Sequence, residues 1–176
     1  TDYPELPTVD YAEAVTLPQK QLRDMIDETI FAVSQNEARP VYMGSLFEIA
    51  GGRLTVVSVD GYRMAVRRET LADCPEKTQL SFIVPGSALL DVEKICGDTD
   101  DKAFINVGSK HVSFTIGDTV VVSRRLEGDF INYRKALPEA LTPAGRGDFA
   151  CSQEKWEGLG LPAELAERLA RLSELR

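Results

Sequence analysis

The chain has no apolar run long enough to cross a bilayer, and stretches such as Thr119 to Val122 are typical of its longest. No charged, apolar, small-residue leader opens it, so neither a membrane-spanning nor a secreted protein is expected. Cysteine is scarce and odd in number. Cys74, Cys96 and Cys151 lie too far apart for a disulfide framework or for paired zinc-ligand spacing, and reduced thiols in a cytoplasmic protein are the expectation. Positive charge is short as well: 20 Lys plus Arg face 28 Asp plus Glu, a net charge of -8. That balance excludes holding nucleic acid by bulk electrostatic attraction, so any such contact has to be local or topological.

Residues able to do chemistry are equally sparse. His111 is the only histidine, and its place at the head of an alternating strand marks it as a surface or edge residue without a nucleophile near it in sequence. Asp98, Asp100 and Asp101 lack the glycine and closing glutamate of a calcium loop and read as a solvated connection. Gly51-Gly52 is followed by neither a helix nor a lysine at the step a phosphate loop requires, so it reads as a hairpin turn. Arg146-Gly147-Asp148 sits in a flexible stretch and carries no weight as an adhesion motif. No catalytic residue, metal or cofactor is expected.

What the chain does have is an average globular composition, 43% hydrophobic and 27% charged over 176 residues, enough for one domain and a little more. Two amphipathic helices are predicted, opening at Leu17-Pro18 and Val84-Pro85, with proline in a first turn that needs no amide donor. Leu22, Met25, Ile26, Ile30 and Val33 form one apolar stripe, and Ala88, Leu89, Val92, Ile95 and Cys96 the other. Strands are predicted near 10–16, 41–49, 53–59, 63–70, 79–84, 102–107, 111–116 and 119–126, separated by turn pairs such as Asp60-Gly61 and Gly117-Asp118. The order is strand, helix, three strands, then the same again. It predicts an α+β fold by internal duplication, with antiparallel sheet covered on one side by two helices lying side by side. Beyond Leu137-Pro138 the pattern breaks: 141–148 reads as a linker, and a short helix after Pro162 carries the stripe Leu165, Leu169, Leu172.

One motif is more specific. Ser58-Val59-Asp60-Gly61-Tyr62-Arg63-Met64-Ala65, preceded by Leu46-Phe47-Glu48, resembles the "TDGHRLA" signature of the bacterial replicative sliding clamp, the beta subunit of DNA polymerase III. Asp2 to Pro7 resembles the linker entering that family's middle domain, Leu17-Pro18-Gln19 and Phe82-Ile83-Val84-Pro85 its two helix starts, and Glu127 to Arg134 its "EGxFPxYRR" segment. The resemblance covers residues 1–139, leaving 140–176 as a linker and short C-terminal helix of unknown origin. It implies a DNA-clamp fold, the duplicated β-α-β-β-β unit with two helices packed on antiparallel sheet.

It also implies a role. In the family, three such domains form each subunit and two subunits close head to tail around duplex DNA, so enclosure replaces affinity and an acidic protein can serve DNA without enzymatic activity. Lys20, Arg23, Arg39 and Lys94 are then the candidates for the DNA-facing side. The family also holds short linear peptides from polymerases and clamp-loader subunits in an apolar pocket. Carried over by motif position, the wall in this chain comprises Tyr42, Val59, Gly61, Tyr62, Arg63, Met64, Ile131, Lys135 and Ala136. Tyr42, Tyr62 and Ile131 replace the usual aliphatic residue, histidine and proline. Because residues 140–176 do not resemble the third domain, a clamp fragment or chimera is expected, able to form the ring only with the missing domains. The loose likeness of Gln153, Trp156, Leu159 and Leu161 to a clamp-binding peptide has poor spacing. The alternatives are a small metal-dependent enzyme using Asp98, Asp100 or Asp101, and an interaction module acting through the last helix.

Overall fold

The expected duplication is present, built on strands that end in proline. In the computed structural model, which describes residues 13–136, the order is β1 (Glu13–Pro18), α1 (Gln19–Ile30), a 3-10 turn (Pro40–Met43), β2 (Gly44–Ala50), β3 (Arg53–Val59) and β4 (Met64–Thr70). The second copy follows as β5 (Leu80–Pro85), α2 (Gly86–Ile95), β6 (Lys102–Val107), β7 (His111–Ile116) and β8 (Thr119–Arg124). All of this belongs to a compact unit, Thr1–Ile131. A second unit, Asn132–Arg176, contributes the short helix α3 (Tyr133–Ala136) to the described residues. The predicted helix after Pro162 and the Gln153 to Leu161 segment lie outside them.

The eight strands do not form the single sheet the sequence suggested. They divide into two four-stranded antiparallel sheets, β4-β3-β2-β5 and β1-β6-β7-β8. Each half lends its first strand to the other: Leu17 in β1 lies opposite Ala103 in β6, and Val84 in β5 opposite Ser45 in β2. Leu126 adds a bridge to Ile83, its amide donating to that carbonyl at 3.0 Å. The Ala50 to Arg53 hairpin turns through Gly51 and Gly52 at φ 58° and 69°, the doubly positive geometry that a two-residue turn needs.

Pro18 and Pro85 close strands and stand just before the helices, with extended ψ of 142° and 138°, so they are not the first helical residues the sequence suggested. No side chain caps α1. Instead the Gln19 and Lys20 amides donate to the Asp101 and Thr99 carbonyls at 2.8 and 3.0 Å, so the loop after α2 satisfies the start of α1. The Gln19 side chain returns the contact, accepting from the Gly97 amide at 3.0 Å.

Leu22, Met25 and Ile26 from α1 and Leu89, Val92 and Cys96 from the α2 region are buried together with Phe47, Phe82 and Phe114 from the sheets. Each such large side chain contributes about 1.5–3 kcal/mol when fully withdrawn from water. The two helices pack side by side, as expected. Ile30, Val33 and Ala88 are only half-buried, and Ile95 is exposed although its spacing placed it on the stripe. Burial pushes the Cys96 thiol up to about 11, which leaves it an inert apolar group. Residues 41–43 form the 3-10 turn where a strand was expected, after the φ restriction imposed by Pro40.

Gly44 ends this turn at an ordinary φ, and its role is spatial. A Cβ there would lie 2.2 Å from the Val84 carbonyl oxygen and 2.8 Å from a Leu126 methyl, and the first of these is paired backbone that cannot step aside cheaply. Gly44→Ala is expected to destabilise the protein by about 1–3 kcal/mol in urea unfolding. A midpoint equal to that of the parent chain would disprove the close approach.

Candidate functional site

Sheet β4-β3-β2-β5 is apolar on both faces. Phe47, Ile49, Leu54 and Val56 point toward the helices and join the main core, whereas the alternating residues Leu46, Val57, Val59 and Ile83 are buried outside it. Part of this second face is covered by the irregular segment that follows β8, with Leu126 over Gly44, Gly128 against Val41, and Phe130 packed edge-on against Tyr42 at 5.6 Å between ring centres. Half-buried Met64 lies directly across from Val59, on the same face.

Three segments meet at this end of the sheet. The Leu46–Val57 register, continued by the buried Ser45–Ser58 hydroxyl pair at 2.7 Å, sets Gly44 opposite Val59 and brings the preceding Tyr42 to the same rim. The Ser34 amide donates to the Tyr42 carbonyl at 2.8 Å, tying in the end of α1. Phe31, the residue capping α1, presents its ring to the Arg63 guanidinium at 5.6 Å. Tyr42, Val59, Gly61, Tyr62, Arg63 and Met64 thus come to one end of the sheet, and Ile131 follows Phe130, which packs on Tyr42. Lys135 and Ala136 lie on α3 of the second unit.

The β3-β4 connection is a four-residue loop, Asp60 to Arg63, longer than the two-residue turn that Asp-Gly suggests. Its organiser is Asp60. One carboxylate oxygen accepts the Tyr62 and Arg63 amides at 2.9 and 3.0 Å, and the other accepts Arg63 Nε at 2.8 Å. The Tyr62 amide first, and then the Arg63 side chain, hold the Asp60 carboxyl below the usual carboxylate range. Gly61 adopts φ 95° with open space around it, so backbone conformation alone selects glycine. The loop leaves Tyr62 fully exposed, and Phe31, which lies against Arg63 of the loop, remains 56% exposed.

Phe130, Asp60 and Phe31 were not among the residues the sequence nominated. The first two stand inside the quoted motifs, and an aspartate three residues before an arginine is the spacing of a side-chain-closed turn. Phe31 carries no such signal, since it falls past the buried stripe of α1.

The proposed DNA-facing residues are all exposed but unequally engaged. Lys20 pairs with Asp98 at 2.9 Å, and that hydrogen bond raises the lysine pKa and lowers that of the aspartate. Lys94 pairs with Asp91 at 3.4 Å. Arg23 makes no ion pair among the described residues but its charge acts on Asp98 and Cys96, and Arg39 makes no side-chain hydrogen bond or ion pair there. Asp101 accepts from the Thr99 hydroxyl at 3.1 Å, and no group of three His, Cys, Asp or Glu among the described residues is arranged to hold a metal ion. The metal-enzyme alternative therefore lacks a centre there.

A duplicated α+β unit with two helices on two antiparallel sheets is a DNA-clamp fold. The same architecture occurs in the sliding clamp of Bacillus subtilis, with a TM-score of 0.74 and 29% identity over 78% of this chain and 36% of that one. A sliding clamp from Pseudomonas aeruginosa, solved bound to griselimycin, gives 0.74 and 30% over 78% and 37%. The family model for the DNA polymerase III beta subunit, central domain, matches residues 16–132, and the chain belongs to that family. Beta sliding clamps of Staphylococcus epidermidis and Halalkalibacterium halodurans are 37% and 34% identical over 137 and 139 residues. The chain spans only 36% and 37% of their lengths.

A lowered folded-state carboxyl pKa stabilises above the ordinary carboxylate range, and the contribution is lost as pH falls through the lowered value. In a proton NMR titration the Arg63 Hε resonance should therefore hold its position through the ordinary carboxylate range and move only at lower pH. Asp60→Asn should abolish that step. A resonance that titrates at the ordinary carboxylate position would show that Asp60 does not hold Arg63.

Proposed function

We propose that this chain supplies the middle-domain part of a replicative processivity clamp, which in the complete ring encircles duplex DNA. In this reading its Tyr42, Val59, Gly61 to Met64 and Ile131 surface receives short peptides from polymerase and clamp-loader subunits. The observation that carries it is half-buried Met64 lying across from buried Val59, beside a loop that leaves Tyr62 fully exposed, in a chain of the beta-subunit family. Such apolar surface desolvates a peptide's apolar anchors, while Arg63 orients its backbone. The thioether of Met64 adapts to anchors of different shape.

The helices support enclosure as the mode of DNA association. Along α1 and α2, Lys20, Arg23 and Lys94 stand among Asp24, Asp27, Glu28, Asp91 and Glu93, so the layer is net negative. Lys20 and Lys94 are further offset by their aspartate partners. A clamp that must slide gains from weak phosphate contacts, since each tight one would have to be broken at every step.

A fluorescein-labelled peptide from the C-terminal tail of a bacterial DNA polymerase III catalytic subunit tests the surface by anisotropy. Binding in the high micromolar range is expected, because part of a pocket buries only part of the peptide. Met64→Glu should weaken it at least about tenfold, equivalent to roughly 1.4 kcal/mol. Absence of binding at high micromolar concentration, or indifference to that substitution, refutes the peptide assignment. Linear duplex DNA should not be retarded by the chain at physiological ionic strength, and clear retardation would refute enclosure as the mode of association.

A further inference from the structure

Arg63 occupies the rim with its side chain 59% exposed, yet it is held at two points. Nε donates to Asp60 at 2.8 Å, and the guanidinium carbon lies over the Phe31 ring, 5.6 Å from its centre. Its terminal nitrogens have no partner among the described residues. Phe31 reaches this point from the C-cap of α1, in a different element from the loop that carries Arg63.

We propose that Phe31 is a positioning residue for ligand recognition, fixing the Arg63 guanidinium so that its terminal N–H groups face a carbonyl or carboxylate oxygen of a docked peptide. This rests on the peptide-docking reading above. An exposed arginine ordinarily samples many rotamers and loses that freedom when it binds. Here Asp60 fixes the Nε edge and the negative face of the aromatic ring fixes the plane, so much of the ordering is complete before a ligand arrives. The ring adds a selective element too: it occupies one side of the guanidinium and leaves in-plane hydrogen bonding as the mode open to a partner, which favours oxygen acceptors over a second stacked ring.

The test uses Phe31→Ala, Phe31→Leu and Phe31→Tyr in the full chain, with two readings on each. In the free protein, the Arg63 Hε resonance, assigned by its loss in Arg63→Lys, should shift downfield in the alanine and leucine variants as the ring current disappears. It should stay near its original position in the tyrosine variant. The affinity for the labelled polymerase-tail peptide should fall about three- to tenfold in the alanine and leucine variants and recover in tyrosine. Full affinity in Phe31→Leu would mean an apolar wall without a positioning role and overturns the inference, as does an Arg63 resonance indifferent to Phe31→Ala whatever the peptide does. Failure of the unsubstituted chain to bind the peptide overturns the docking reading instead, and is distinguished by the Hε measurement made without ligand.

Discussion

The exchange of first strands between the two halves is the constraint on which the rest of the structure depends. β1 completes the sheet of the second half through β6, and β5 completes the sheet of the first through β2. Each helix follows directly on its exchanged strand, so strand pairing also decides where α1 and α2 lie. Their apolar stripes are then brought over a shared core in which Phe47 stacks near Phe82 and meets Phe114 edge-on. The loop after α2 supplies the carbonyls that α1 lacks, so neither half is satisfied alone. The candidate site depends on the same pairing, because Gly44 can approach Val84 only when β5 lies against β2.

Much of this arrangement was legible in the sequence, and for a physical reason. A period of two in Val112, Phe114 and Ile116, and three- and four-residue steps from Leu22 to Ile26, report directly which side of an element is buried. Partners are a different matter. Nothing in the alternation of β1 distinguishes β2 from β6 as its neighbour, so the sequence supports a duplicated unit without revealing that the units share strands. Prolines misled by one position, since Pro18 and Pro85 close a strand as readily as they open a helix. Residues 41–43 read as strand from their apolar character, and only the fold bends them into the turn that presents Tyr42.

The site was legible where local chemistry sets it. Asp60, Gly61 and Arg63 form a loop whose hydrogen bonds run within four residues, so a short motif carries nearly all of its geometry. Phe31 and Phe130 were not visible in the same way, because their importance comes from the contacts with Arg63 and Tyr42 that the fold creates. The helix lysines show the converse. Within its own helix Lys20 has only Asp24 for an acidic neighbour, and the Asp98 that pairs with it arrives from a loop far along the chain.

Lending strands across the duplication has a consequence for how the protein is made. As the chain emerges from the ribosome, β2, β3 and β4 can pair, but the edge of β2 stays open until β5 follows. β1 waits longer, through the synthesis of the whole second helix, before β6 supplies its neighbour. The amino-terminal half therefore passes through a period with two unsatisfied edges, a state that invites pairing with other nascent copies. Inward-facing charge on β4 gives the third edge its own guard: Arg67, paired with Glu28 of α1 and with Glu69, leaves that border inhospitable to a flat intruding strand.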